Sequence, residues 1–269
     1  MNRIRIVHPP ASAGTAWVLA GWKTFRTAPV VWSGMTAMVF MLMLGLGLLP
    51  FVGGLTVYLM SPFLVAGFLA ASRATEAGEP VTFLHLGVGM ATGQRGLLGI
   101  GLTYLVATLI VFQIVHYVTG ANLEAILAQA HHPKAMTPEE AEAILDQALP
   151  ALGLGTLLLA PLLMATWFSP GLAHFEEFPA GKAMWWSLWA CWVNWRPILY
   201  YSMLLGLAGV LALLIPFGLG LLVFLPVTLA STYAAYRDIF VPIEPPAPET
   251  EAPPQDLEVA PDFDHDPHP

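Results

Sequence analysis

Five of the nine tryptophans fall between positions 185 and 195: Trp185, Trp186, Trp189, Trp192 and Trp195. On a helix Trp185, Leu188, Trp189 and Trp192 share one stripe, while Ser187, Ala190, Cys191 and Asn194 lie largely elsewhere. Such a stripe can do one of two things. It can stack a lipid-headgroup cation against ring faces, or it can form an aromatic belt that fixes helix depth. The belt is the plainer reading, and either way Trp185, Trp189 and Trp192 are the candidate interfacial or headgroup contacts.

Other chemistry is thin. His131 and His132 stand within reach of Glu139 and Glu140, but adjacent helical histidines do not share a face, so they read as solvated loop residues. His265 and His268 among Asp262, Asp264 and Asp266 amount to a weak metal-attracting tail. There is no phosphate-cradling glycine loop, no Gly-x-Ser-x-Gly elbow and no His-Glu-x-x-His zinc motif. No catalytic residue, cofactor site or metal site is expected, and nothing points to nucleic acid. Cys191, the single cysteine, reads as an apolar space-filler without a disulfide partner.

The elements that carry these residues are membrane helices. Of 269 residues 57% are hydrophobic and only 10% charged, with a mean hydropathy of +0.67. A soluble domain carries about 25% charged residues. Unbroken apolar runs of about 20 residues suit helical spans, whereas barrel strands would alternate. The pattern predicts an all-α polytopic protein with six spans paired as three hairpins, at about 28–72, 96–168 and 197–236. Lead-in segments precede each hairpin. The first covers residues 1–27, with Trp17, Trp22 and Phe25 among Lys23 and Arg26 suiting an interfacial helix. The second is centred on Phe83, Leu84 and Leu86, and the third is the tryptophan segment. The start of the chain has basic residues but no apolar core behind them, so no cleaved signal is expected.

Thr119 to Leu149 forms an acidic outer loop, in which Thr137-Pro138-Glu139-Glu140 is a good helix start. From residue 241 a Pro-rich tail follows, expected to be disordered. Eight of the eighteen acids lie after Ile243, and the remaining ten match the ten bases, so the membrane body is neutral. The spans hold no Asp, Glu, Lys or Arg in their central thirds, which argues against a proton-coupled carrier. Gln113 and His116 lie toward the outer end of the third span. Gly45 and Gly47, Gly99 and Gly101, and Gly218 and Gly220 read as close-packing positions. Glu176 and Glu177 stand near enough in sequence to pair with Lys182.

The hairpins repeat. Arg26 and Pro29 match Arg196 and Pro197, Pro50-Phe51 matches Pro216-Phe217, and Arg73 matches Arg237. Ser61-Pro62 matches Leu225-Pro226 and, in the middle unit, Ser169-Pro170. With six spans and the amino terminus inside, nine of the ten basic residues face the cytosol and only Lys134 lies outside. Both chain ends are then cytosolic.

The string Gly21-Trp22…Phe25-Arg26…Pro29, the Pro-Phe turn, Leu59-Met60-Ser61-Pro62…Gly67 and Arg73-Ala74…Glu76-Ala77-Gly78-Glu79-Pro80 resembles uncharacterised proteobacterial inner-membrane proteins. The likeness runs from about Arg5 to Phe240. It is looser to the six-helix membrane domain that accompanies some glycerophosphodiester phosphodiesterases, whose catalytic domain this chain lacks. The resemblance implies inner-membrane location and fold, and no activity. The function expected is a non-enzymatic scaffold or accessory protein, touching membrane lipids and engaging a protein partner through the acidic tail or outer loop. The alternative is a small transporter or lipid-handling protein.

Overall fold

A computed structural model describes residues 4–49, 53–90, 94–120 and 138–243. The apex of the first hairpin turn, most of the acidic loop with His131, His132 and Lys134, and the tail from Glu244 onward lie outside the described residues.

Helices dominate. In chain order they are α1 (Ala13–Thr27), α2 (Pro29–Gly47), α3 (Gly53–Glu76), α4 (His85–Val88), α5 (Arg95–Thr119), α6 (Pro138–Trp167), α7 (Ser169–Phe175), α8 (Ala180–Val193), α9 (Trp195–Leu213) and α10 (Leu221–Ile239). Among the described residues, five stretches are long and apolar enough to cross a membrane: Pro29–Gly47, Gly53–Glu76, Arg95–Thr119, Ala148–Phe175 and Trp195–Leu213. The sixth predicted span is a 19-residue helix, α10, but it does not join that group. Its second half carries Ser231, Thr232, Tyr233, Tyr236, Arg237 and Asp238, which lower its hydropathy.

The structure corrects the sequence reading in three further places. A two-stranded antiparallel sheet joins β1 (Ile4–Ile6) to β2 (Phe240–Pro242), pairing Ile4 with Pro242 and Ile6 with Phe240. The tail boundary expected at 241 therefore cuts through a strand. The helix that holds the fourth span extends well before it: α6 starts at Pro138, where the Thr-Pro-Glu-Glu signal puts it, and runs through Pro150 and Pro161, while its membrane-capable stretch begins at Ala148. The second lead-in yields only the four-residue α4.

Prolines inside these helices are tolerated where a neighbour takes over the lost hydrogen bond. Pro62 frees the Tyr58 carbonyl, and the Ser61 hydroxyl donates to that oxygen at 3.0 Å. The third hairpin turns at Pro216–Gly218, with Phe217 and Gly218 both left-handed at φ 59° and 69°.

The lead-ins do not dock on their own hairpins. α1 packs on α10 and α9, α4 packs on α3, and α8 packs on α6 and α5. α4 and α8 thus rest on the long helix before them, and α1 rests on the last helix, α10. Small residues make this approach possible, because in lipid helix association relies on close packing more than on hydrophobic drive. A Cβ on Gly21 would stand 2.5 Å from the Val227 carbonyl oxygen and 2.7 Å from the Ser231 nitrogen. One on Gly89 would collide with the Phe63 carbonyl oxygen. Of the glycines read as packing positions, Gly101 abuts Leu59 and Gly99 abuts Ala180, whereas Gly45 and Gly47 face open space.

The first lead-in is therefore more than interfacial. Trp17 is buried, meets Tyr201 edge-on at 5.5 Å, and donates its indole N–H to Asp238 Oδ2 at 2.9 Å. The Val7 amide donates to the Ile239 carbonyl at 2.9 Å, and Asn194 Nδ2 donates to the Val7 carbonyl at 3.2 Å. Polar ties thus fasten the start of the chain to its last helix.

Candidate functional site

The tryptophan segment folds as α8. Its small residues Ala183, Ser187, Ala190 and Cys191 turn inward, and Ser187 locks the seam: its hydroxyl donates to the Met164 carbonyl at 2.6 Å and accepts the Phe168 amide at 2.9 Å. The other face is aromatic and open. Trp185, Trp189 and Trp192 are 63%, 50% and 67% exposed, on one stripe. Trp195 continues it from the start of α9, and the Arg196 guanidinium lies 5.3 Å from that ring, so the stripe already has a cation from the protein itself. Trp186 is turned inward against Phe178. Burial pushes the Cys191 thiol up to about 12, which keeps it a neutral filler.

Sequence reasoning missed a second grouping, where α3, α7 and α10 end together. Arg237 pairs with Glu76, the Arg73 guanidinium sits 5.2 Å from the centre of the Phe175 ring, and the Tyr236 hydroxyl donates to Glu176 Oε1 at 3.5 Å. Phe175 lies between Tyr233 and Tyr236 at 5.9 and 5.6 Å. Lys182 makes no ion pair with Glu176 or Glu177. Its Nζ stands 3.7 Å from the centre of the Phe178 ring. Single charges at helix ends look like snorkelling residues in a sequence, and nothing in their spacing announces that three ends meet.

A third feature lies between α9 and α10. The Tyr201 hydroxyl shares hydrogen bonds with Ser231 Oγ at 2.6 Å and Thr232 Oγ1 at 3.2 Å, and both of those hydroxyls donate to the Thr228 carbonyl. This network joins α9 to α10. Beside it α6 and α9 scarcely touch, and a groove of about 650 Å³ runs between them over α10. Its lining is apolar apart from Ser202, Thr228, the Trp167 indole and Cys191. Trp167 Nε1 and Thr228 Oγ1 are buried without a hydrogen-bond partner among the described residues. Among the described residues no three His, Cys, Asp or Glu side chains converge as a metal site.

No family model matches the chain, and no solved structure matches it. It is 29% identical over 271 residues to a protein of Burkholderia thailandensis named a probable inner membrane protein, a match that covers 91% of this chain and 97% of that protein. The match does not extend the looser likeness to phosphodiesterase membrane domains. Five membrane-capable helices and this relative together make the chain an all-helical membrane protein, similar along nearly its whole length to a probable inner-membrane protein of a proteobacterium.

Proposed function

We propose that the chain is a non-enzymatic, six-span scaffold of the inner membrane, with α10 as the sixth span and both ends in the cytosol. The observation that carries this reading is the tie between the chain ends. β1 pairs with β2, and Trp17 and Asn194 brace that junction, so residues 244–269 leave the bundle from one fixed point beside the amino terminus. A tail of eight acids and no Lys or Arg issuing from a braced point is a handle for a partner. The bias of nine basic residues to the same side supports a cytosolic placement.

The bundle is read as three copies of one unit. Gly21, Gly89 and Cys191 meet the second helices at Val227, Phe63 and Met164. Each of those residues lies ten positions before Arg237, Arg73 and His174 respectively. That register aligns the middle unit at Met164, in place of the Ser169-Pro170 match read from the sequence. In the same reading the Trp185, Trp189 and Trp192 face rests in the cytosolic headgroup layer, where indole rings settle well.

Native mass spectrometry of the full chain and of a 244–269 deletion, both extracted in gentle detergent, tests the scaffold reading. The full chain is expected to carry a protein partner that the deletion loses while staying folded. A partner retained by the deletion, or none on either form, would overturn it.

A further inference from the structure

We infer that the groove between α6 and α9 binds one acyl chain of a glycerophospholipid, with the ester carbonyl seated at Trp167 and Thr228. The inference goes beyond the scaffold reading and stands or falls apart from it. It belongs to whichever leaflet the chain ends face.

Three observations converge on this occupant. The first is shape. The groove follows α9 from Ile198 to Leu213, fifteen residue rises or about 22 Å at 1.5 Å each. That is longer than one leaflet's share of a hydrocarbon core roughly 30 Å thick, so an extended acyl chain fits lengthwise. The second is polarity along that length. Toward Leu213 the walls are Gly206, Gly209, Val210 and Phe224, with no polar side chain, whereas Trp167, Ser202, Thr228 and Cys191 lie toward the other end. The third is unmet hydrogen bonding. An indole N–H can only donate, and buried donors are ordinarily paired. Trp167 Nε1 and Thr228 Oγ1 have no hydrogen-bond partner among the described residues, and both residues line the groove.

The ligand must therefore bring an acceptor at the head of an apolar chain. An ester carbonyl is such a group.

The glycines permit a clean test. A Cβ on Gly206 meets nothing within 4 Å, so Gly206→Phe fills the groove without a backbone clash. Gly153→Phe, on an exposed position of α6 also free of neighbours, is the control. In native mass spectrometry the wild type and Gly153→Phe are expected to retain one phospholipid per chain. Gly206→Phe should lose most of it, and Trp167→Phe should lower occupancy about fivefold, the worth of one hydrogen bond. Equal occupancy in Gly206→Phe and Gly153→Phe, or a free fatty acid in place of the phospholipid, would overturn the assignment.

Should Gly206→Phe fail to fold, Ser202→Cys in a Cys191→Ala background serves as a probe, since Ser202 lines the groove and is partly exposed, whereas Cys191 is buried. Labelling at position 202 by a thin methanethiosulfonate reagent is expected to slow about fivefold when phosphatidylethanolamine is returned to lipid-stripped protein, on the same scale. Unchanged labelling would also overturn the assignment.

Discussion

The third hairpin has two flanks, and they are built in opposite ways. On one, α1 lies against α10 with no room for a side chain at Gly21, and Trp17 bonds to Asp238 across the seam. On the other, α6 and α9 stand apart and leave a groove walled by leucines and by the open Gly206. Lipid tails are as apolar as leucine, so leucine faces gain little by meeting. Helices close where small residues admit backbone and where polar groups find each other. Glycine by itself decides nothing: Gly21 meets a carbonyl, whereas Gly206 meets nothing within 4 Å.

The largest expected effect comes from Gly21→Leu, which must push α1 off α10 and should cost about 3 kcal/mol by overpacking. Gly206→Leu on the other flank should stay within about 0.5 kcal/mol. Thermal unfolding of the two variants side by side measures the contrast, and equal midpoints would erase it. Tyr201→Phe comes next. It removes the hydroxyl that joins α9 to Ser231 and Thr232, and in a membrane interior that is worth about 1 kcal/mol. A denaturation midpoint indistinguishable from wild type would mean that the network adds nothing to the closed side.

A smaller, pH-dependent effect follows from Cys191. Its thiol holds its proton up to about 12 when folded, against an ordinary 9.0. The unfolded chain releases that proton first, so stability is untouched below about pH 8.5 and falls as pH climbs toward 12. Comparing melting at pH 8 and pH 10 should show a steeper loss in wild type than in Cys191→Ala. Parallel slopes would place the thiol in water instead of against Met164.

The smallest effect is expected at the aromatic face. Replacing Trp185, Trp189 and Trp192 singly by Ala should change stability by less than about 0.5 kcal/mol each, since all three are exposed. Their fluorescence should nonetheless be quenched by phospholipids brominated near the headgroup end of the acyl chain. Quenching only by deep bromines would remove this face from the interface.

Much of the architecture was legible because apolar runs and periodicity are local signals. Five spans, the helical lead-ins at α1 and α8, the helix start at Pro138 and the outward tryptophan stripe all rest on patterns within one segment. The misses involve partners far apart in the chain. Ile4–Ile6 has no strand signature of its own and becomes one only by meeting Phe240–Pro242. Gly14 and Gly21 of α1 read as ordinary small residues until α9 and α10 come against them, at Tyr201 and Ser231. The weak hydropathy of α10 has the same origin, since its hydroxyls are satisfied by Tyr201 on the neighbouring helix and by its own backbone. The groove was equally hidden, because it arises where two apolar helices decline to pack.

The pairing of β1 with β2 bears on how the protein is made. Residues 4–6 are synthesised long before residues 240–242, so their strand partner does not yet exist when they are made. The leading segment must therefore wait unpaired until the helices between the two strands have been made, and only then fasten. A bulky fusion placed just ahead of Ile4 would trap assembly at that last step, leaving a chain fully threaded through the bilayer but never locked.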